Sequence, residues 1–577
     1  MSTQASVPVA AAAMPRRAER SLTSLVEATL VALAISILLP LYGALAERPD
    51  GRDGRFADAP VSATSTVAPA QREKDAAMRT LLVDARWQWA GFAVLGLALL
   101  HLKRVGVAPV VGTAFVLGAW AAAGWLGRVP WPIAPIALAV ASLVLLAASP
   151  WLSRLLPGTR SLPASAFAYP GFVAATGLGW LVLLDLSANG LAANRYLAHY
   201  HHGHLWLAML VFGVVAFWRE PIGRTLAWTL SFVDGLASRA AARLGALAAG
   251  LVFAAIVSAL VVAIAVPLAH MRQLTSELGR LWLIVGAAWF FFLRGTPLTE
   301  RLARRGGTLG SLVRYLAPLA FVVIVLIAAM VATRDMGPLL VAGYGAGAFV
   351  AASAAMWLYQ RRGAGAVAFV LAIVLFAAWI VATTSALFTF GSLDDVTAAR
   401  LENVASPLAS ANDQLALVTW FQRAAPVAGF GPGAVPWCGF GATGRCAGVP
   451  AQIQSDYTFT ALVGVFGWTG AWLVTLGVTL WLHAVVRAHG RATRGEPRLV
   501  RVGARLRNDE QALLGWIAVA WVVLTLCQLA VTVAGNLAVI PLTGVTFPFV
   551  SFGMTSLVVN AAMLALAASV TEPRGAR

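Results

Sequence analysis

Runs of about 20 apolar residues recur along this chain, and they constrain its fold more than any other feature. A run of that length crosses the hydrocarbon core of a bilayer as one helix. Hydrophobic residues make up 59% of the sequence and charged residues 11%, which excludes an ordinary soluble domain. The sequence therefore predicts an all-α polytopic membrane protein with about fourteen transmembrane helices and a long outside loop, residues 390–457, before the twelfth.

The distribution of basic residues indicates the orientation of these helices. The formal net charge is +18, and Lys and Arg concentrate in alternate loops, for example at Arg219, Arg224 and Arg239 and again between residues 487 and 507. This is the positive-inside pattern, so we expect both termini in the cytoplasm, with a disordered tail at 1–24 and a short tail at 572–577. The charge then reflects topology and attraction to anionic lipid, and no nucleic-acid partner is expected.

The outside loop ends in Ser455-Asp456-Tyr457, and an apolar run follows at once. Asp456 is therefore predicted where a transmembrane helix meets water, a costly position for a charge that has no function. The same loop contains Cys438 and Cys446, for which we hypothesise a disulfide because the loop faces an oxidising compartment.

Polar residues at other helix ends are further candidates. Glu277 and Arg280 open an apolar run; capping by Ser276 and the helix dipole explain the former, whereas Arg280 needs a partner or a wet cavity. Asp335 follows Arg334 between two runs, where either a local ion pair in a turn or a site role would explain it.

Two glycine-rich or proline-rich loops are unlike the rest. Residues 429–433 read Gly-Phe-Gly-Pro-Gly without the Lys-Ser or Lys-Thr of a nucleotide loop, which leaves flexible backbone near a ligand. Residues 535–553 contain Pro541 and Pro548 and cannot form a plain helix. Irregular backbone at membrane depth is tolerated only where protein or a wet cavity receives it, so this loop predicts a cavity wall.

Four histidines cluster at His199, His201, His202 and His204. Imidazoles at this density could bind zinc or copper, but no carboxylate or thiol accompanies them, and His is also an ordinary residue at helix ends. We predict no metal site there.

Together these motifs resemble the SEDS family of the RodA, FtsW and SpoVE type. The resemblance covers about residues 240–570. It rests on eight short motifs in the same order as in the family: Ser276-Glu277-Leu278 with Arg280, Asp335 with Gly337, Arg400, Asp413-Gln414, Gly429 to Gly433, Ser455-Asp456-Tyr457, Pro541-Leu542-Thr543-Gly544-Val545 and Pro548-Phe549-Val550-Ser551-Phe552-Gly553. The last stretch is similar to the family's Pro-Phe-Ile-Ser-Tyr-Gly pattern and is the most specific.

The resemblance implies a ten-helix core at 161–571, preceded by about four additional transmembrane helices at 25–160. It further implies polymerisation of the disaccharide-peptide carried on undecaprenyl pyrophosphate, at the outer face of the bacterial cytoplasmic membrane, in cell elongation or division. A class B penicillin-binding protein is the implied transpeptidase partner. Asp456 takes the place of the family's proposed catalytic Asp.

The implied chemistry needs one carboxylate as general base, since the pyrophosphate is already a good leaving group. An arginine could neutralise charge on that pyrophosphate, and a divalent cation such as Mg²⁺ or Mn²⁺ is possible. The candidate substrate-binding residues are Glu277, Arg280, Asp335, Arg400, Gln414, Thr543, Pro548 and Ser551.

One departure from the family pattern leaves alternatives open. Gly464 and Val465 stand where the family usually has a pair of Glu residues. The chain could therefore be a divergent polymerase, a flippase for the lipid-linked precursor, a non-catalytic scaffold for a penicillin-binding protein, or a transferase for another polyprenyl-linked glycan.

Overall fold

A computed structural model describes about two fifths of the chain. The described residues are 168–189, 197–219, 221–229, 232, 239, 272–290, 337–338, 340–349, 351, 365–391, 414–431, 435, 437, 452–492, 502–542 and 544–569. The predicted tails at 1–24 and 572–577 and the additional helices at 25–160 lie outside these residues, as do large parts of the loop 390–457.

Within the described ranges the regular structure is helical throughout, in agreement with the all-α prediction. The longer helices are α1 (Ala168–Asn189), α2 (Leu197–Phe217), α3 (Arg272–Phe290), α4 (Gly365–Gly391), α5 (Gln414–Ala424), α6 (Thr458–Ala492), α7 (Val502–Asn536) and α8 (Met554–Ser569). Shorter apolar helical segments include Leu340–Phe349.

Two described helical stretches, Thr458–His483 and Leu513–Asn536, are long and apolar enough to cross a bilayer. A third arises if Gly203–Phe217 and Pro221–Thr229, which meet at 75°, form one bent span. Pro221 begins the second segment, where a proline is tolerated because a first-turn amide needs no partner within the helix. The count of about fourteen spans stays a prediction.

Helix α7 lies at the centre of the described bundle and packs against α3, α6 and α8, while α8 lies along α2. Its side chains are buried along nearly the whole apolar stretch, including Trp521, Leu524 and Cys527. Helix α1 approaches its neighbours closely because it carries glycines: a Cβ on Gly179 would lie 1.9 Å from the carbonyl oxygen of Val550. This contact places α1 directly against the loop that precedes α8.

Helix α6 is interrupted at Gly467, whose φ of 72° and ψ of 178° are not helical. The break allows the glycine-rich stretch after α5 to pair with the helix. Phe430 N donates to Gly464 O at 2.8 Å, and Gly431 N donates to Val465 O at 3.2 Å. Gly429 and Gly431, with φ of 79° and 85°, are therefore used for docking on α6.

Candidate functional site

Asp456 lies in a tight turn just before α6 begins. The amides of Ser455 and Asp456 both donate to the carbonyl of Gln452, at 3.0 and 2.9 Å, and Gln452 itself has a φ of 61°. The Asp456 residue is 8% exposed, and Ser455 Oγ donates to its Oδ1 at 2.8 Å. A carboxylate immediately before a helix interacts favourably with the positive end of the helix dipole.

The loop that precedes α8 meets this turn. A Cβ on Gly544 would lie 3.4 Å from Asp456 Oδ2, and Gly544 has a φ of 67°. Further along the loop, Phe552 N donates to Gln454 O at 2.9 Å. The Asp456 turn and the loop that precedes α8, which are about 90 residues apart in the sequence, are therefore in contact in the structure.

Polar groups of α7 hold the middle of this loop. Gln528 Nε2 donates to Thr546 O at 2.8 Å, and Thr532 Oγ1 donates to Val545 O at 3.1 Å. The carbonyls of Thr546 and Val545 lie in irregular backbone, where no helix or sheet supplies a hydrogen-bond donor. The side chains of Gln528 and Thr532 supply those donors instead.

Aromatic packing fixes the far part of the loop. Phe549, with a φ of 66°, packs edge-on against Trp481 at a centroid distance of 5.0 Å and against Phe172 at 6.0 Å. Pro548 is buried, and Ser551 Oγ donates to Phe547 O at 2.7 Å. In this arrangement Ser551 stabilises the turn that carries Phe549 and Val550.

Asn536, the last residue of α7, joins α7 to the Asp456 turn. Its Nδ2 donates to Asp456 O at 2.8 Å, and its Oδ1 accepts from Thr460 N at 3.1 Å. Gln422 of α5 donates to Asn536 O at 2.8 Å. Asn536, Gln422 and Thr460 were not among the predicted site residues, although an uncharged polar residue within or beside an apolar run is a usable signal.

Glu277 and Arg280 form a buried ion pair on one face of α3, with 3.3 Å between Glu277 Oε2 and Arg280 Nη1. The same guanidinium donates to Gln528 of α7 and to Asn560 of α8. Asn560 also accepts from Trp521 Nε1 at 3.0 Å. Arg280 is 6% exposed, so the partner that its position demands is supplied by neighbouring helices.

Several predicted residues cannot be placed. Asp335, Arg400 and Thr543 lie outside the described residues, as do Cys438 and Cys446, so their roles and the disulfide stay predictions. Gln414 is the first residue of α5.

The positions where the family usually has a Glu pair are occupied by tight apolar packing. A Cβ on Gly464 would lie 2.5 Å from the ring of Phe421, and that ring stacks on Trp437 at 5.6 Å. Val465 is buried, and its carbonyl holds Gly431. The described structure therefore has no room for a longer side chain at Gly464.

The histidines of α2 lie beside the same loop. The rings of His201 and His204 contact Phe552 at 5.9 and 5.0 Å. Within the part of the chain that the structure describes, no group of three or more His, Cys, Asp or Glu side chains is arranged to hold a metal ion.

Comparison with known proteins identifies the family of this chain. A chain of a solved structure, from work on polymerization and crosslinking by a peptidoglycan synthase complex, is 18% identical and has a TM-score of 0.38; the match covers 70% of this chain and 96% of that one. A comparison with curated proteins gave no match. The family described as cell cycle protein, FTSW_RODA_SPOVE, matches residues 268–574, which contain Glu277, Arg280, Asp456 and the loop before α8. Since that match spans more than half of the sequence, the chain belongs to the FtsW, RodA and SpoVE family of membrane proteins, the SEDS family.

Proposed function

We propose that this protein polymerises lipid-linked peptidoglycan precursors by glycosyl transfer, with Asp456 as the general base. Family membership supports the reaction. The observation that carries the role of Asp456 is its placement: a carboxylate held by Ser455 at the start of α6, with Gly544 facing its second oxygen. Gly544 is exposed, so backbone without a side chain borders the carboxylate on that side.

In the proposed reaction, an acceptor sugar hydroxyl attacks the anomeric carbon of the donor disaccharide-peptide. A carbon–oxygen bond forms to the acceptor as the bond to undecaprenyl pyrophosphate breaks, and the hydroxyl proton passes to Asp456. General base catalysis of this kind contributes about 10²- to 10⁴-fold to a rate. The lipid pyrophosphate leaves without protonation because it is a stable anion.

The arginines divide into two roles under this proposal. The terminal nitrogens of Arg280 bond to Glu277, Gln528 and Asn560, so we assign Arg280 to supporting the site. Arg400 is then the better candidate for the pyrophosphate. A divalent cation, if one is used, would neutralise negative charge on the leaving pyrophosphate as a Lewis acid.

The remaining parts of the proposal follow from the family. We propose that the protein acts at the outer face of the bacterial cytoplasmic membrane, has both termini in the cytoplasm, and works with a class B penicillin-binding protein. Glu277, Asp335, Gln414, Thr543, Pro548 and Ser551 remain proposed substrate-site residues, of which Pro548 and Ser551 belong to the loop beside Asp456.

The proposal is tested with purified full-length protein, alone and with its partner, supplied with labelled lipid-linked disaccharide-peptide. Asp456→Asn keeps the size of the side chain but removes the base, so we expect polymer formation to fall about 100-fold or more. Thr475→Val is the matched control, since Thr475 is also buried on α6 and its hydroxyl donates to Ala471 O, within the same helix. Undiminished polymer from Asp456→Asn would refute the role.

The apolar packing at Gly464 and Val465 leaves no carboxylates where the family usually has a Glu pair, and this favours two other candidates. One is a non-catalytic scaffold, and the other is a transferase for another polyprenyl-linked glycan. A scaffold predicts that Asp456→Asn supports normal growth of cells that depend on this protein. A different transferase predicts that another polyprenyl-linked glycan competes with the labelled disaccharide-peptide in the same assay.

A further inference from the structure

We propose that Asn536 is a positioning residue that sets the location of the Asp456 carboxylate through the backbone of the Asp456 turn. The inference rests on the proposed function of Asp456. Asn536 is buried completely, and it is the last residue of α7, whereas Asp456 precedes α6. The contact between them therefore fixes the end of one helix to the start of another.

All four hydrogen-bonding positions of the Asn536 side chain are in use. Nδ2 donates to Asp456 O and to Thr532 O, both at 2.8 Å, while Oδ1 accepts from Thr460 N at 3.1 Å and from Thr460 Oγ1 at 3.0 Å. A carboxamide has two donors and two acceptor positions, so the site is satisfied completely. No other side chain of this size offers that combination.

The orientation of the amide follows from its partners. The carbonyls of Asp456 and Thr532 can only accept, and the amide of Thr460 can only donate. A reversed amide would face donors with donors and acceptors with acceptors, so the orientation is determined by the partners. Thr460 N is also a first-turn amide of α6 that the helix cannot satisfy itself, and Asn536 caps it from another helix.

These contacts predict a functional effect beyond packing. Asn536 Nδ2 holds the backbone carbonyl of Asp456, the residue that carries the catalytic carboxylate. Asn536 Oδ1 holds the first turn of α6 through the amide of Thr460. Displacing a catalytic group by about 1 Å can cost about 100-fold in rate. We therefore expect loss of the Nδ2 contact to reduce kcat more than it changes KM.

Asn536→Asp tests this contact selectively. The variant keeps an oxygen that accepts from Thr460, but it replaces the NH₂ group by a second oxygen, which cannot donate to Asp456 O and Thr532 O. We expect kcat for labelled lipid-linked disaccharide-peptide to fall about 10- to 100-fold with KM within about twofold. Hydrogen exchange measured on a peptide covering residues 452–463 should become faster. Thr475→Val, which loses a buried hydrogen bond of α6 away from the turn, should leave both kcat and the hydrogen exchange of residues 452–463 unchanged.

The outcomes separate this inference from the proposed function. Unchanged kcat in Asn536→Asp beside an active wild type would overturn the inference and leave the function standing. If the wild type makes no polymer, the proposed function fails and the exchange measurement alone decides whether Asn536 holds the turn; unchanged exchange overturns it. Should Asn536→Asp not fold, Asn536→Ala is measured in the same way against the same outcomes.

Discussion

At the scale of single residues, the candidate site depends on positions where only one type of side chain fits. Gly544 combines a φ of 67° with a Cβ direction that points at Asp456 Oδ2. Any other L-residue there would be strained and would also occupy the space beside the carboxylate. The sequence marks Gly544 as part of a motif, but only the fold shows that its missing side chain faces Asp456.

Gly544→Ala should therefore reduce activity more than stability. The left-handed conformation costs Ala about 1–2 kcal/mol, and the methyl group would lie against the carboxylate that accepts the proton. We expect polymer formation to fall at least about tenfold, measured beside the thermal unfolding of the same preparation. Gly286→Ala is the control, because a Cβ at that helical position meets nothing within 4 Å. Equal activity of the two variants would contradict the prediction.

At the scale of elements, the break in α6 explains the glycine-rich stretch that follows α5. The carbonyls of Gly464 and Val465 accept hydrogen bonds from Phe430 and Gly431. The sequence of residues 429–433 leaves flexible backbone near a ligand as the expectation. In the structure, the backbone of Phe430 and Gly431 is docked on α6. Periodicity could not predict this, because the apolar run of α6 continues through Gly467 without interruption.

Gly467→Ala should undock this stretch. A Cβ on Gly467 would lie 2.1 Å from Val427 O and 2.3 Å from Gly429 N, both backbone atoms that cannot move independently. This clash and the strain of a left-handed φ at an alanine should together lower the free energy of unfolding by about 2–4 kcal/mol.

Thermal unfolding of Gly467→Ala in detergent measures this, with Gly203→Ala as the control at an open helical site. A midpoint for Gly467→Ala equal to that of Gly203→Ala would show that the loop does not depend on the break.

At the scale of the whole molecule, one buried polar cluster connects α3, α7 and α8. Arg280 pairs with Glu277 and donates to Gln528 and Asn560, and Gln528 in turn holds Thr546 in the loop beside Asp456. The site and the bundle are thus linked by hydrogen bonds between helices that are distant in the sequence. A buried pair of this kind is costly to break from one side, because it leaves an uncompensated charge.

Arg280→Leu should destabilise the protein by about 3–5 kcal/mol, since Glu277 would remain buried without its partner. Replacing both residues, Glu277→Gln with Arg280→Leu, removes the stranded charge and should recover part of that loss. The measurement is a double-mutant cycle on thermal unfolding. Effects of the two single changes that simply add in the double variant would contradict the coupling.

The sequence by itself determined the membrane class, the family and two of the stretches that form the site. Composition, run length and short motifs are local properties, so they can be read without the fold. Tertiary structure decided the partners of Arg280, which lie 248 and 280 positions away, and the anchoring of the Asp456 turn by Asn536, 80 positions away. A buried hydrogen bond depends on which groups the packed helices bring within about 3 Å, and no local pattern records that distance.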